Sequence, residues 1–263
     1  MQMKRIAIVT GASSGMGQRF ALTAAAYIEF DELWLIARRE ARLRAMAENE
    51  LKGQKVRCLP LDLSASSSFD TLKEALNEEP CQVALLINAA GFGKFQAVMD
   101  VGEDIAEQML DLNCRAVMKM CYACIPFMTK GSKILNIASV AAFQPVPYIG
   151  EYAATKAFVL SFSRALWKEL RCQGITVTAL CPYWTRTEFF DVANARKGKD
   201  RVTYYNAMYE PDDLVRRGWR DLLKGRDIST YGFIARFQLF FITLLPHRWV
   251  MDIWCRQQKI RTL

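Results

Sequence analysis

Lys4-Arg5-Ile6-Ala7-Ile8-Val9-Thr10-Gly11-Ala12-Ser13-Ser14-Gly15-Met16-Gly17 opens the chain with a short apolar run and a glycine-rich turn. The run is rich in β-branched residues and has no polar alternation, as expected of a strand buried on both faces. A helical pattern follows to about residue 28. A strand, a glycine-rich turn and a helix make a phosphate site by simple physics. The glycines let backbone approach a pyrophosphate, and the helix start offers free N–H groups and the positive end of its dipole. The spacing is Gly-x-x-x-Gly-x-Gly.

The same alternation continues along the chain. Strands are expected at 32–37, 55–61, 83–87, 133–138 and 175–180, with helices at 39–52, 66–77, 102–128, from Glu151 to about residue 172, and 210–224. The serine-rich turn before residue 66 is expected to cap its helix. The 102–128 pattern carries a polar Asn113 at its centre, which would break or bend it. A short seventh strand is expected at 228–231. Short connections between alternating elements argue for an α/β fold, a doubly wound parallel sheet of about seven strands with helices on both faces. Candidate residues then fall at strand C-terminal ends, where such sheets bind ligands.

Totals set the outer limits. The chain has 263 residues, 52% of them hydrophobic and 24% charged, a globular composition with ample core. A single domain over 1–263 is expected. Its net charge is +8, but no basic run interleaved with aromatics marks a nucleic-acid face, so no nucleic acid is expected. Eight cysteines lie scattered in apolar runs, which suits reduced, buried thiols and a cytoplasmic location. Cys121-x-x-Cys124 sits in a helical pattern and reads as packing, so no metal is expected. The lone His247 argues against a Ser/His/Asp hydrolase. Met1 leads straight into the strand pattern, with no signal peptide expected.

The second strand ends at Arg38-Arg39, the place that reads the adenosine ribose in a dinucleotide fold. Arginine there accommodates a 2′-phosphate, which favours NADP(H) over NAD(H). Asp62-Leu63 ends the third strand, with Asp62 either touching adenine or closing its own turn. Asn88-Ala89-Ala90-Gly91 ends the fourth, and its small residues permit close backbone approach. Tyr152 and Lys156 are one helical turn apart on one face. An ammonium beside a phenol favours the phenolate and so makes the pair a proton donor–acceptor.

These stretches together resemble the short-chain dehydrogenase/reductase family, over roughly residues 3 to 225. The resemblance rests on Thr10–Gly17, on Asn88-Ala89-Ala90-Gly91 with alanine in place of the second asparagine, and on Asn113, Ser139, Tyr152 and Lys156 in order. It also covers the segment from Pro182 to Thr187, where Tyr183 replaces a glycine. It implies a Rossmann-like fold and a hydride transfer between NADP(H) and a carbonyl or secondary alcohol. Tyr152 would act as general acid/base and Ser139 would polarise the carbonyl. Lys156 would lower the tyrosine pKa and hold the ribose, and Asn113 would bind a relay water. Implied cofactor residues are Gly11, Ser13, Ser14, Gly15, Met16, Gly17, Arg38, Arg39, Asp62, Leu63, Asn88, Ala89, Ala90, Gly91, Tyr152, Lys156, Pro182, Thr185 and Thr187. The expected substrate pocket is Phe92, Val140, Tyr148, Tyr183, Trp184 and Phe189, covered by a lid at 188–210.

Residues 233–263 hold an apolar run and a basic tail ending with Arg256, Lys259 and Arg261. The run is too short and too interrupted to span a membrane. Three readings stay open: packing on its own domain or a second subunit, which is favoured; a wall of the substrate pocket; and contact with a membrane surface. The tail resembles those of hydroxysteroid dehydrogenases and long-chain ketoacyl reductases, which implies a hydrophobic substrate (a steroid, a bile-acid-like ketone or a 3-oxoacyl chain) and a homodimer or homotetramer. The rival functions are a non-catalytic dinucleotide sensor and a membrane-surface interaction protein on the same fold.

Overall fold

The strand Lys4–Thr10 (β1) lies at the centre of the sheet because both of its faces are apolar. Ile6 and Ile8 point to one side, and Ala7 and Val9 to the other. The computed structural model describes residues 3–194 and 201–260; the stretch 195–200 of the expected lid and Arg261 of the tail lie outside them. In chain order the helix Gly15–Thr23 (α1) follows β1. Next come β2 (Glu32–Ile36), α2 (Glu40–Asn49), β3 (Val56–Leu59), α3 (Ser67–Asn77) and β4 (Cys81–Asn88). The expected 102–128 helix runs without a break from Glu103 to Cys124, with a π turn at its middle. A short α4 (Val98–Val101) and α5 (Glu103–Leu110) lead into a π turn at Asp111–Arg115, and α6 (Ala116–Cys124) continues beyond it. Then come β5 (Lys133–Ile137), α7 (Gly150–Leu170), β6 (Thr176–Leu180), α8 (Phe189–Ala193), α9 (Pro211–Leu223) and a two-residue β7 (Ile228–Ser229). The extension forms α10 (Phe233–Leu244) and α11 (His247–Gln257).

The strands lie in the order β3-β2-β1-β4-β5-β6-β7, and every neighbouring pair is parallel. This is the expected seven-stranded, doubly wound α/β sheet. On one face, Phe69 and Leu72 of α3, Met120 and Cys124 of α6 and Leu166 of α7 cover Ile6, Ile8 and Leu86. On the other, Phe20 of α1, Leu43 of α2 and Trp219 of α9 cover Ala7, Val9 and Leu85. Cys121 and Cys124 are both fully buried in this packing. The register aligns the strand ends. Thr10 pairs with Ile36 and with Asn88, and Asn88 pairs with Asn136.

Two departures from expectation are local. Ser66 makes no side-chain cap, because its own backbone is already helical (φ −65°, ψ −36°) and its hydroxyl is not aimed at the first-turn N–H groups. Asn113 does not end the helix; it sits within the π turn, where the wider hydrogen-bond ring lets one extra residue in without stopping the rod.

The far edge of the sheet is tied by one buried acid. Asp221 of α9 is 1% exposed, and its Oδ2 accepts from Ser229 Oγ of β7 at 2.9 Å and from Arg217 Nε at 2.5 Å. Arg226 pairs with its other oxygen at 3.2 Å. Removing that carboxylate strands two guanidinium groups and a buried hydroxyl. Asp221→Ala is expected to lower the unfolding free energy by about 3 kcal/mol, measured by urea denaturation; a change within experimental error would mean that the edge is held by packing alone.

Candidate active site

The turn after β1 is shaped by contact. Gly11 has φ +64°, and a Cβ there would lie 2.7 Å from Ala90 N and 2.8 Å from the Ala89 carbonyl. A Cβ on Gly17 would run into the Gly11 carbonyl oxygen. Only glycines allow the turn to lie this close to the end of β4. Thr10 Oγ1 completes the seam by accepting from Ala89 N at 3.0 Å and from Ala90 N at 3.2 Å. The first turn of α1 then faces the crevice between β1 and β4, and Ser14 places no side-chain cap on its N–H groups.

A cleft of about 480 Å³ opens at this edge. Gly11, Ser13, Ser14, Gly15, Met16 and Gly17 line one wall. Arg38, Arg39, Asp62 and Leu63 line a second, and Ala89, Ala90, Gly91 and Thr187 close it. Phe92 also lines this cleft and not the substrate pocket, because its peptide N–H and carbonyl are both held by Asn113 beside the β4 end. Asn88 does not reach the cleft. It is 2% exposed, and its amide nitrogen donates inward to Asn136 Oδ1 at 2.8 Å, which continues to Ser163 Oγ on α7. Asp62 closes its own turn, accepting from Ser64 N at 3.0 Å and Ser64 Oγ at 2.6 Å. Burial raises its pKa, but those bonds and the nearby Arg38 outweigh it and leave the carboxyl below its ordinary value.

Arg39 is already engaged. It donates from Nε to Ser13 Oγ at 3.1 Å and from Nη2 to Ser14 Oγ at 2.6 Å. Its Nη1 reaches Glu188 Oε2 at 3.0 Å, and Arg42 Nη1 reaches Glu188 Oε1 at 2.7 Å. The two guanidinium groups hold the Glu188 carboxyl below its ordinary pKa. Neither Glu188 as a cleft residue nor Arg42 as its partner is evident in the sequence. Arg42 reads as a solvated helix position, and Glu188 as the start of a loop.

A second pocket, of about 130 Å³, adjoins the cleft and shares Met16, Ala89, Gly91, Thr187 and Phe189 with it. Ser139, Tyr152 and Lys156 meet here, with Val140, Pro182, Tyr183, Trp184 and Thr185 in its wall. Ser139 lies two residues past the end of β5 and accepts from Ala141 N at 3.1 Å, which fixes its hydroxyl. The buried Tyr152 phenol shares this pocket, where that hydroxyl acts to lower its pKa. Lys156 Nζ donates to Ile137 O at 2.9 Å and lies 5.6 Å from the centre of the Tyr152 ring. Asn113 is fully buried. Its amide receives Phe92 N–H at 3.0 Å and donates to Phe92 O at 2.8 Å and Thr155 Oγ1 at 3.0 Å. Both of its N–H groups are thus spent on protein partners, so its side chain acts as a brace between the β4 loop and α7.

Burial dominates the electrostatics. It pushes the Tyr152 phenol up to about 12, against the pull of Ser139. It brings the Lys156 ammonium down to about 8. Desolvation of the phenol, and not the neighbouring lysine, sets the direction of the shift, while Nζ is engaged by Ile137 O.

Tyr148 stays outside the pocket. It adopts φ +68° and packs in the aromatic cluster behind it, with Val146 and Trp254. Trp254 of α11 and Gln238 of α10 enter the wall instead. The Tyr183 hydroxyl lies 2.6 Å from Asn206 Oδ1 and 2.7 Å from Gln238 Oε1, so the tyrosine in place of glycine anchors the extension. Gln258 pins the described end of the expected lid, accepting from Thr203 N and Tyr204 N at 3.0 Å each. Of the three readings of the extension, the inner side of α10–α11 is a pocket wall.

The family model described as short chain dehydrogenase matches residues 5–198. An uncharacterized oxidoreductase of Staphylococcus aureus (strain N315) is 30% identical over 180 residues, covering 68% of this chain and 77% of the relative. Among solved structures, a short-chain dehydrogenase from Sphingobium yanoikuyae in complex with NADPH superposes with a TM-score of 0.75 at 27% identity, over 95% of this chain and 96% of that one. A 3-ketoacyl-(acyl-carrier-protein) reductase from Brucella melitensis complexed with NADH gives 0.69 at 27% identity, over 84% and 91%. With a family match over most of its length and a cleft built as described, this chain belongs to the short-chain dehydrogenase/reductase family and is an oxidoreductase of that kind.

Proposed function

We propose that the protein is an NADP(H)-dependent reductase or dehydrogenase of a hydrophobic carbonyl or secondary alcohol. The observation that carries this reading is the buried Tyr152 phenol, which meets Ser139 and Lys156 in an apolar pocket that shares its wall with the dinucleotide cleft. The turn from Gly11 to Gly17, packed on the end of β4 with the uncapped first turn of α1 beside it, fits a pyrophosphate, and the lining of the cleft continues to Arg38 and Arg39. Bound there, a reduced nicotinamide supplies the hydride. The chain supplies the rest. Ser139 donates to the carbonyl oxygen and stabilises charge as it develops. Tyr152 delivers the proton to that oxygen, or removes it in the oxidative direction. Lys156, held at Ile137 O, keeps a cation at the ring face between Tyr152 and the cleft. Trp184, Phe189 and Trp254 exclude water and accept an apolar body.

Coupled assays with NADPH and NADH across a panel of ketones test this. Tyr152→Phe is expected to lower turnover by at least about a thousandfold while leaving NADPH affinity within about twofold; near-normal turnover would remove Tyr152 from the proton transfer. Arg38→Ala is expected to weaken NADPH about tenfold and NADH far less, because only NADPH presents a 2′-phosphate. Equal losses, read by fluorescence titration, would take Arg38 out of that role and leave Arg39.

The depressed Lys156 makes stability depend on pH. With a folded value of about 8 and an ordinary value near 10.4 in the unfolded chain, the unfolded state binds more protons between these limits. Stability therefore rises with pH across that window. Lys156→Met removes the buried charge and is expected to raise Tm at pH 7, with the gap to the native chain closing as pH approaches about 10. A gap that does not change with pH would mean that the ammonium is not desolvated as described.

A further inference from the structure

The helix α10 is amphipathic in the wrong sense for a helix packed only on its own domain. Phe233, Ile234, Phe237, Phe240, Phe241 and Leu244 are all exposed, with Phe233 at 81%, Leu244 at 64% and Phe240 at 60%. At about 100° per residue they fall within an arc of about 120°. The buried Ala235 and Ile242 lie on the opposite side. The rings form a continuous surface: Phe233 stacks on Phe237, Phe237 meets Phe241 at 4.6 Å, and Phe240 meets Phe241 at 5.5 Å. Trp249 and Ile253, one turn apart on α11, are exposed as well. An apolar patch of this extent marks an interaction surface.

Charge decides what covers it. Residues 233–260 hold Arg236, Arg248, Arg256 and Lys259 against one acid, Asp252, and all five are exposed. The whole chain carries +8. A second copy would bring the same excess of cations against this one, so association through it is opposed by like charge. An anionic lipid surface meets both requirements, with phenyl rings entering the headgroup–acyl boundary and basic side chains meeting the phosphates. No described helix is long and apolar enough to cross a membrane.

We propose that α10 and α11 seat this protein on an anionic membrane surface, phenylalanine face down, with the inner side of the same two helices forming the substrate pocket wall through Gln238 and Trp254. A substrate dissolved in the bilayer then has a short path to Tyr152; this corollary rests on the reductase reading above.

The test is co-sedimentation of the intact chain with mixed phosphatidylcholine–phosphatidylglycerol vesicles, with pure phosphatidylcholine vesicles, and alone. The comparison is Phe237→Ser/Phe240→Ser, two exposed rings outside the pocket. Circular dichroism and turnover of a water-soluble ketone check that the variant is folded. The intact chain is expected to bind the mixed vesicles, to release them at high salt, and to lose about tenfold in affinity on double substitution. Equal sedimentation of both proteins, or none by either, overturns the proposal. A dimer that the double substitution splits, with no vesicle binding by either form, assigns the face to a second copy and also overturns it. Binding is read without cofactor, so a failure of both proteins to reduce any ketone would count against the reductase reading and leave the sedimentation result standing.

Discussion

Parallel pairing is the constraint from which the site follows. Two parallel neighbours cannot be joined by a tight turn; the chain must cross back over the sheet each time, here mostly through a helix. Every strand therefore delivers its C-terminal end to the same edge, and the helices that return the chain bury both faces. The order β3-β2-β1-β4 reverses direction at β1, and the crevice opens there. Thr10, Arg38, Asp62, Ala89, Ser139 and Pro182 come from six different strands, and their common location needs no other cause.

This explains why much of the site was legible in the sequence. Strand ends can be read from apolar runs, and in a parallel sheet a strand end is already a place in three dimensions. The glycines of the first turn carry their own signal, because Gly11 and Gly17 meet backbone at distances that no side chain could tolerate. Tyr152 and Lys156 are fixed relative to each other by helix geometry alone. What the sequence could not convey was direction and dielectric. Asn88 and Asn113 look alike as polar residues near an edge, yet Asn88 turns into the sheet toward Asn136 and Ser163, while Asn113 braces Phe92 and Thr155. Both outcomes depend on partners far along the chain. Tyr148 and Phe92 failed as pocket residues for the same reason: the backbone at Tyr148 turns through positive φ, and Phe92 is held on the cofactor side.

The tyrosine–lysine pair shows how a correct spacing can mislead about energy. One turn of helix brings the ammonium near the ring. The sign of its effect on the phenol is Coulombic, but the size depends on where Nζ points and how much water is left. Here Nζ donates to Ile137 O, and both groups lose solvent together. Desolvation penalises the phenolate and the ammonium alike, so the two values move in opposite directions, toward the neutral form of each. Burial thus favours a phenol that keeps its proton, while Lys156 keeps its bond to Ile137 O.

The cofactor end and the catalytic end are joined by two consecutive residues. Glu188 bridges Arg39 and Arg42 at one end of the cleft, and Phe189 packs against the Tyr152 ring at 5.3 Å in the other pocket. A phosphate arriving at Arg39 would find that guanidinium already paired with a carboxylate. What it gains is thus the difference between two anions and not the full strength of a charge-assisted bond. All three of these charged side chains are more than 40% exposed, so the existing pairs are individually weak and an incoming dianion can compete with them.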